Sequence, residues 1–307
     1  MGCPLATDMA RPTIFISCLN KKPVQDKRFS HPYKGGALTS IERLLQDGMM
    51  TIRETPIQLT DSHGQATAGI LATPLAVTHC AVVLCHGFLS QKNSNTNRRL
   101  TALLVDSGIA TVRFDWFGMG ESDGEMADLT IRTCCDQLHQ SFEFLQRRQY
   151  FHLGLIGSSF GGLISLLVAA QRPQVLALGL KCPVPDFPKM LREAFGHATM
   201  ERWKRTDEVP NITGDGHPVR LRYAFYEECL NYDAYRAAQQ IKGPTLIVHG
   251  DVDEYVPANM IQQLAKAFPG PAQVRILPGA NHHFGRPEDF RKMTTELANW
   301  MTSHLSK

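Results

Sequence analysis

From Met50 onward, hydrophobic and polar positions along the chain settle into two alternating periods. MTIRETPIQL and QATAGILATP are short strand-like runs separated by TDSHG, a cluster of turn formers, and together they predict an antiparallel hairpin. Residues 81–85, AVVLC, form an unbroken apolar run of the length and β-branched content of a strand buried on both faces. A helical stretch follows over 97–107 and stops at Gly108, and IATVRF at 109–114 reads as the next strand. Residues 128–148 form a long amphipathic helix that sets Leu129, Cys135, Leu138, Phe142 and Leu145 near one face. The pattern continues as strand HLGLIG, helix 161–171, strand VLALGL, strand TLIVHG, helix 258–268, strand AQVRIL and helix 289–305. Strands alternating with helices predict an α/β fold with a mostly parallel sheet covered on both faces.

Two segments break the alternation. Between VLALGL and TLIVHG lie about sixty residues, too many for a structureless connection, and they are rich in aromatics: Phe187, Phe195, Trp203, Tyr223, Phe225, Tyr226, Tyr232 and Tyr235. They read as a cap over a site, its aromatics either lining a pocket or forming the cap's own small core. Residues 1–48 show weak periodicity apart from the short apolar run IFISCL, and read as an N-terminal extension.

Composition narrows the class without choosing a function. Hydrophobic residues make up 43% and charged residues 20% of 307, ordinary for a globular protein, and a net charge of +3 gives no argument for nucleic acid or an anionic membrane as partner. No uncharged apolar run reaches the ~18 residues of a membrane span. The N-terminus shows no secretory pattern, and in MGCPLA the position where a myristoylation signal carries Ser or Thr is Ala6. Eight cysteines include no C-x-x-C or zinc-ligand spacing; several sit in apolar runs and read as buried free thiols, an expectation of a reducing, cytoplasmic setting.

Chemistry enters at Gly157-Ser158-Ser159-Phe160-Gly161, a G-x-S-x-G pentapeptide between strand HLGLI and helix GLISLLVAAQ, the context in which a tight turn holds a nucleophilic hydroxyl above a sheet. Ser159 fits the register; Ser158 would leave the flanking glycines asymmetric. A serine hydroxyl needs a histidine base oriented by a carboxylate, in the chain order serine, acid, histidine. HGDVDEYVP and PGANHHF, each at the carboxyl end of a strand, offer Asp251, Asp253 or Glu254 as the acid and His282 or His283 as the base. Spacing alone does not choose among them. The oxyanion of an acyl-transfer intermediate needs two N–H donors, expected from Phe160 after the nucleophile and from Phe88 in the loop after AVVLC. His86 precedes the serine and reads as a structural, hydrogen-bonding histidine.

Five stretches in order, VVLCHGF, VRFDWFGMGESDG, GLIGSSFGG, IVHGDVDEYVP and LPGANHHF, resemble the α/β-hydrolase superfamily, most of all its cinnamoyl (feruloyl) esterase and serine aminopeptidase-like branch. The resemblance implies a mostly parallel eight-stranded sheet flanked by helices in residues 49–307, with a cap inserted after the sixth strand at about 183–243. It also selects among the alternatives. The family's G-x-x-D-x-x-V-P matches Gly250, Asp253, Val256 and Pro257, which favours Asp253; its histidine, after Gly-Ala and one small residue, matches His282. Its R-x-D-x-x-G-x-G-x-S matches Arg113, Asp115, Gly118, Gly120 and Ser122, which are expected to shape a loop near the site.

The expected function is that of a serine hydrolase of small acyl esters that works through an acyl-enzyme, with Ser159, His282 and Asp253 as the triad and no metal or organic cofactor. A thioesterase or a peptidase with the same triad is the alternative. A peptidase for free N-termini would need a carboxylate at the pocket, with Asp186, Glu193, Glu201, Glu227 and Glu228 as cap candidates. A non-catalytic binding protein on the same scaffold is a third reading. The sequence assigns no oligomeric state.

Overall fold

A computed structural model describes residues 41–43, 52–60, 64–209, 218–270 and 272–305. The run IFISCL and most of the expected N-terminal extension lie outside the described residues.

Among the described residues, nine strands form one sheet. Three antiparallel strands lead it: β1 (Ile41–Arg43), β2 (Ile52–Thr60) and β3 (Ala66–Thr73). Then come β4 (Cys80–Cys85), β5 (Ala110–Phe114), β6 (His152–Ser158) and β7 (Val175–Lys181). A two-stranded ribbon, β8 (Glu208–Val209) and β9 (Val219–Arg220), lies apart. The main sheet ends with β10 (Thr245–Gly250) and β11 (Ala272–Leu277). The spatial order is β1-β2-β3-β5-β4-β6-β7-β10-β11, parallel from β5 to β11. The eight expected strands are β2 to β7, β10 and β11. The ninth, β1, is a three-residue edge strand within the segment expected to be extension.

The alternation of side chains along β4 shows why the apolar runs are unbroken. Ala81, Val83 and Cys85 face one core while Val82 and Leu84 face a second. The first core is closed by α2 (Ile131–Arg147), α3 (Phe160–Ala169) and α7 (Ala258–Ala267); the second by α1 (Asn95–Asp106) and α8 (Pro287–Leu305).

Helix boundaries follow local capping. Ser94 accepts the Asn97 N–H and starts α1 two residues before the expected position. Thr130 caps α2, so the expected start at Asp128 is instead a separate 3-10 turn, Met126–Asp128. The buried face of α2 carries Cys134 at full depth, with Cys135 half-buried beside it.

Between β7 and β10 the chain forms α4 (Phe187–Thr206), the β8–β9 ribbon, α5 (Ala224–Cys229) and α6 (Ala234–Ala238). Gly196 kinks α4 with φ 69°. Trp203 is buried in this segment and donates its indole N–H to the Leu221 carbonyl at 2.6 Å. The aromatics divide between the two expected roles. Trp203 and Tyr226 are buried in the cap's own interior, whereas Phe187 and Phe195 line a cavity beneath it.

Candidate active site

The carboxyl ends of β4, β6, β7 and β10, with the loop after β11, converge on Ser159. This residue sits between β6 and α3 with φ 53° and ψ −114°, a strained left-handed conformation for a side-chain-bearing residue. Its neighbours have no room for side chains. A β-carbon on Gly157 would stand 2.4 Å from the Ser165 hydroxyl and 2.5 Å from the Gly161 carbonyl oxygen. The turn is further held by the Ser159 N–H, which donates to the Lys181 carbonyl at 2.9 Å.

The structure brings His282 and Asp253 to this serine. His282 Nε2 lies 2.9 Å from Ser159 Oγ, and His282 Nδ1 lies 2.8 Å from Asp253 Oδ2. The other carboxylate oxygen of Asp253 accepts the N–H groups of Tyr255 and Val256, each at 2.9 Å. Burial alone would raise the Asp253 pKa, but the His282 bond and these backbone donors outweigh it and hold it at about 2. An ionised carboxylate only accepts, so Nδ1 of His282 carries the proton and Nε2 accepts from the serine hydroxyl. Burial lowers the His282 pKa; the hydrogen bond to Asp253 opposes that shift and the Lys181 charge reinforces it.

The residues left open by spacing have separate places. Glu254 accepts the backbone N–H of His282 at 3.0 Å, and Asp251 accepts the N–H of Gly279 at 2.5 Å; both brace the histidine loop. His283 packs its ring edge-on against Tyr255 and faces the cavity.

The loop after β4 lies against the tight turn at Ser159, the elbow, and a β-carbon on Gly87 would stand 3.4 Å from the Ser159 β-carbon. Its Phe88 ring meets the Phe160 ring at 5.7 Å, and both meet Phe187 of α4, at 5.7 and 5.1 Å. Phe160 opens α3, where the first N–H groups have no partner within the helix. His86 is buried: its Nδ1 lies 2.8 Å from the Gly87 carbonyl and its Nε2 accepts the Trp116 N–H at 3.1 Å, which fixes the neutral Nδ1–H tautomer. Burial pushes its pKa down to about 4.

Loop 86–94 is tied to the loop after β5 through Asp115, which accepts the Lys92 N–H at 2.6 Å and its ammonium at 2.5 Å. Gly118 and Gly120 turn that second loop with φ 68° and 58°. A β-carbon on Gly120 would collide with the Asp115 carboxylate. Arg113 binds Glu54 with two contacts of 3.0 Å and is fully enclosed.

A cavity of about 790 Å³ opens over Ser159 and His282. Val184, Phe187, Met190, Leu191 and Phe195 give it an apolar wall from the cap side; Ser90, Ser94 and Thr96 add hydroxyls on the other.

Three buried groups beside Ser159, His282 and Asp253 were not singled out by the sequence: Lys181, Cys182 and His249. Lys181 Nζ donates to the His282 carbonyl at 2.7 Å. Cys182, Asp253 and His282 place three donor atoms within 4.8 Å of one another, a set that could hold a metal ion. Two of the three are already hydrogen-bonded together, and burial pushes the Cys182 thiol far up, toward its protonated form. His249 Nδ1 lies 3.6 Å from Asp253 Oδ2. A signal for Lys181 existed: a lysine closing the otherwise apolar run VLALGL.

Comparison with known proteins agrees with this architecture. Residues 81–211 match the family model described as the alpha/beta hydrolase fold, and residues 219–302 match that of the dienelactone hydrolase family. A bovine mitochondrial palmitoyl-protein thioesterase, ABHD10, is 24% identical over 191 residues, a match that spans 60% of this chain and 60% of that protein's length. An uncharacterised 31.7 kDa Escherichia coli protein from the traX-finO intergenic region is 30% identical over 265 residues, covering 75% of this chain and 92% of that protein. Among solved structures, the ferulic acid complex of Est1E from Butyrivibrio proteoclasticus superposes with a TM-score of 0.72 at 22% identity, over 82% of this chain and all of that one. Mouse ABHD10 superposes at 0.69 with 22% identity, over 81% of this chain and 99% of that one. With two successive family models lying along one mostly parallel sheet whose nucleophile-type turn joins β6 to α3, the chain belongs to the α/β-hydrolase superfamily.

Proposed function

We propose that the chain is a serine hydrolase that cleaves carboxylic esters through an acyl-enzyme. The observation that carries this reading is the line of contacts Ser159 Oγ, His282 Nε2, His282 Nδ1 and Asp253 Oδ2, at 2.9 and 2.8 Å. Ser159 attacks the acyl carbon as its proton passes to His282. Asp253 fixes the reactive tautomer and stabilises the imidazolium. The N–H groups of Phe88 and Phe160 receive the oxyanion, a contribution worth about 10²–10³ in rate for each donor. His282 then protonates the leaving alcohol, and a water activated by the same imidazole releases the acid. These steps use side chains and backbone of this chain together with water.

The apolar cap wall supports an acyl or aryl chain as the group held there. It also supports a thioester reading, in keeping with the name of the ABHD10 relatives. A peptidase for free N-termini gains no such support. Among the described residues, none of the five cap carboxylates lines the cavity. Asp186 caps α4, and Glu228 accepts the first N–H groups of α2.

Six described cysteines are free thiols, which supports a reducing compartment such as the cytoplasm. No described helix is long and apolar enough to cross a membrane.

The test is a panel of short and long p-nitrophenyl esters, methyl ferulate, an acyl-CoA and an aminoacyl-naphthylamide, run on the wild type and on Ser159→Ala. Ester turnover that falls by about three or more orders of magnitude in the variant is expected. Equal turnover by both proteins would remove Ser159 as nucleophile. Absence of turnover, together with failure of a fluorophosphonate to label Ser159, would favour a binding protein. Preference for acyl-CoA would select the thioester reading.

A further inference from the structure

We propose that Lys181 is a positioning residue for the Ser159–His282 pair: its ammonium anchors the histidine loop and sets a positive charge beside the imidazole. The inference rests on the serine-hydrolase reading.

Lys181 is the last residue of β7, and it touches both partners. Its carbonyl accepts the Ser159 N–H at 2.9 Å, and its Nζ donates to the His282 carbonyl at 2.7 Å. One residue thus connects the backbones that carry nucleophile and base, 123 positions apart in the chain. A misplacement of about 1 Å between such groups costs on the order of 10² in rate, so a fixed tie between the two backbones has catalytic consequences.

Stability does not explain a lysine here. The side chain is 5% exposed, and among the described residues the lysine and arginine ion pairs do not include it. Its nitrogen bonds the His282 carbonyl and lies 5.5 Å from the centre of the Phe284 ring. An apolar residue would continue the VLALGL run and avoid the desolvation of an ammonium.

Burial lowers the Lys181 pKa, and the nearby Asp253 and Glu254 carboxylates oppose that shift; below the lowered value the ammonium's charge has a function that the hydrogen bond alone does not. His282 is faced by Asp253, Glu254 and Tyr255 from the loop after β10, by His249 from β10, by Cys182 from the end of β7 and by His283 from its own loop. Asp253 and Glu254 are the acidic members of that ring. Asp253 favours the imidazolium; Lys181 disfavours it, in the same direction as burial. Without the ammonium, Asp253 acts with less opposition and His282 holds its proton to higher pH. It then stands idle as a base over a wider range.

The experiment compares wild type, Lys181→Met and Lys181→Arg in pH profiles of kcat and kcat/KM for a p-nitrophenyl ester, with Ser159→Ala as control. For Lys181→Met the expected result is a kcat about tenfold to a hundredfold lower. Its acid limb should move up by about half a pH unit or more. Lys181→Arg, which keeps both donor and charge, should hold the acid limb at the wild-type position and recover part of the lost kcat. A merely structural lysine would lower activity with the limb unmoved, and that result, or an unaltered Lys181→Met, overturns the proposal. Should Lys181→Met not fold, an acid limb that rises in Lys181→Arg overturns it instead. If Ser159→Ala keeps wild-type turnover, the serine reading falls. The Lys181 variants are then judged by the low-field proton resonance of His282 Nδ1–H, whose titration midpoint must rise in Lys181→Met for the proposal to stand.

Discussion

Gly161 lies so close to the end of β4 that a β-carbon on it would stand 2.5 Å from the carbonyl oxygen of Cys85. The His86 carbonyl oxygen is at the same distance. Both obstacles are backbone and neither can swing aside. Gly161→Ala therefore forces α3 away from the sheet and takes Ser159 with it. We expect a loss of about 1–3 kcal/mol in urea denaturation, the usual cost of overpacking. Ester turnover should fall by about 10² or more, because the displaced residue carries the proposed nucleophile.

The proposed base is buried and its pKa is lowered, so pH should affect the rate with a definite sign. The reactive form is neutral imidazole. Activity should rise with pH through a midpoint below the ordinary histidine value of about 6.5 and stay level through neutrality. In Asp253→Asn the imidazole loses its orienting acceptor and its charge partner, and kcat should drop by about 10⁴. A pH–rate series on both proteins checks the two outcomes together.

The elbow was legible in the sequence because everything that forms it is local: a strand, a turn with glycines where β-carbons would collide, and an apolar helix start. Asp253 and His282 are separated from Ser159 by most of the second half of the chain, and their assignment rested on motif context. Lys181 stood out in the sequence only as a lysine closing an apolar run; its partner His282 lies 101 residues away in the loop after β11, and only the folded chain brings the two together. Helix starts drifted for a related reason: Ser94 and Thr130 act as caps through their own side chains, a geometry that hydrophobic periodicity does not record. The aromatic cap was visible as composition, but which rings face the cavity depends on packing between α4, α5 and the elbow.

His86 gives the fold its own pH dependence. Its folded pKa of about 4 lies below that of an unfolded histidine, so between those values the unfolded chain binds more protons. Stability should therefore fall as pH drops from about 6.5 toward 4, by as much as about 3 kcal/mol in total. His86→Gln, which does not titrate, should be less stable at neutral pH through the altered bond to Trp116, yet should flatten the slope across that window. Urea midpoints at a series of pH values measure both effects.

Lys92 and Asp115 form a buried ion pair that joins the Phe88 loop to the loop after β5. Removing one member strands the other. Lys92→Met should cost about 3–5 kcal/mol, with the Asp115 carboxylate left enclosed without its counter-charge and held by the backbone N–H groups of residue 92 and Glu121. Adding Asp115→Asn removes the stranded charge and should recover part of that loss. The double-mutant cycle, measured by chemical denaturation, reads the coupling directly.

Phe187 links the cap to the proposed oxyanion site. Its ring meets Phe88 at 5.7 Å and Phe160 at 5.1 Å, the two residues whose N–H groups are assigned to the oxyanion, and it meets Phe225 of the cap at 6.0 Å. It also lines the cavity. Phe187→Ala should therefore act twice. Loss of a buried ring should destabilise the fold by about 3–5 kcal/mol. The backbone that presents the Phe88 N–H loses part of its support, so kcat should fall further than KM rises. Phe187→Leu refills much of the volume and should restore stability more fully than kcat, because branched aliphatic packing does not reproduce the edge-to-face contacts that set the position of Phe88. If kcat follows stability in both variants, the ring acts by filling space alone; if kcat lags in Phe187→Leu, ring geometry governs the donor.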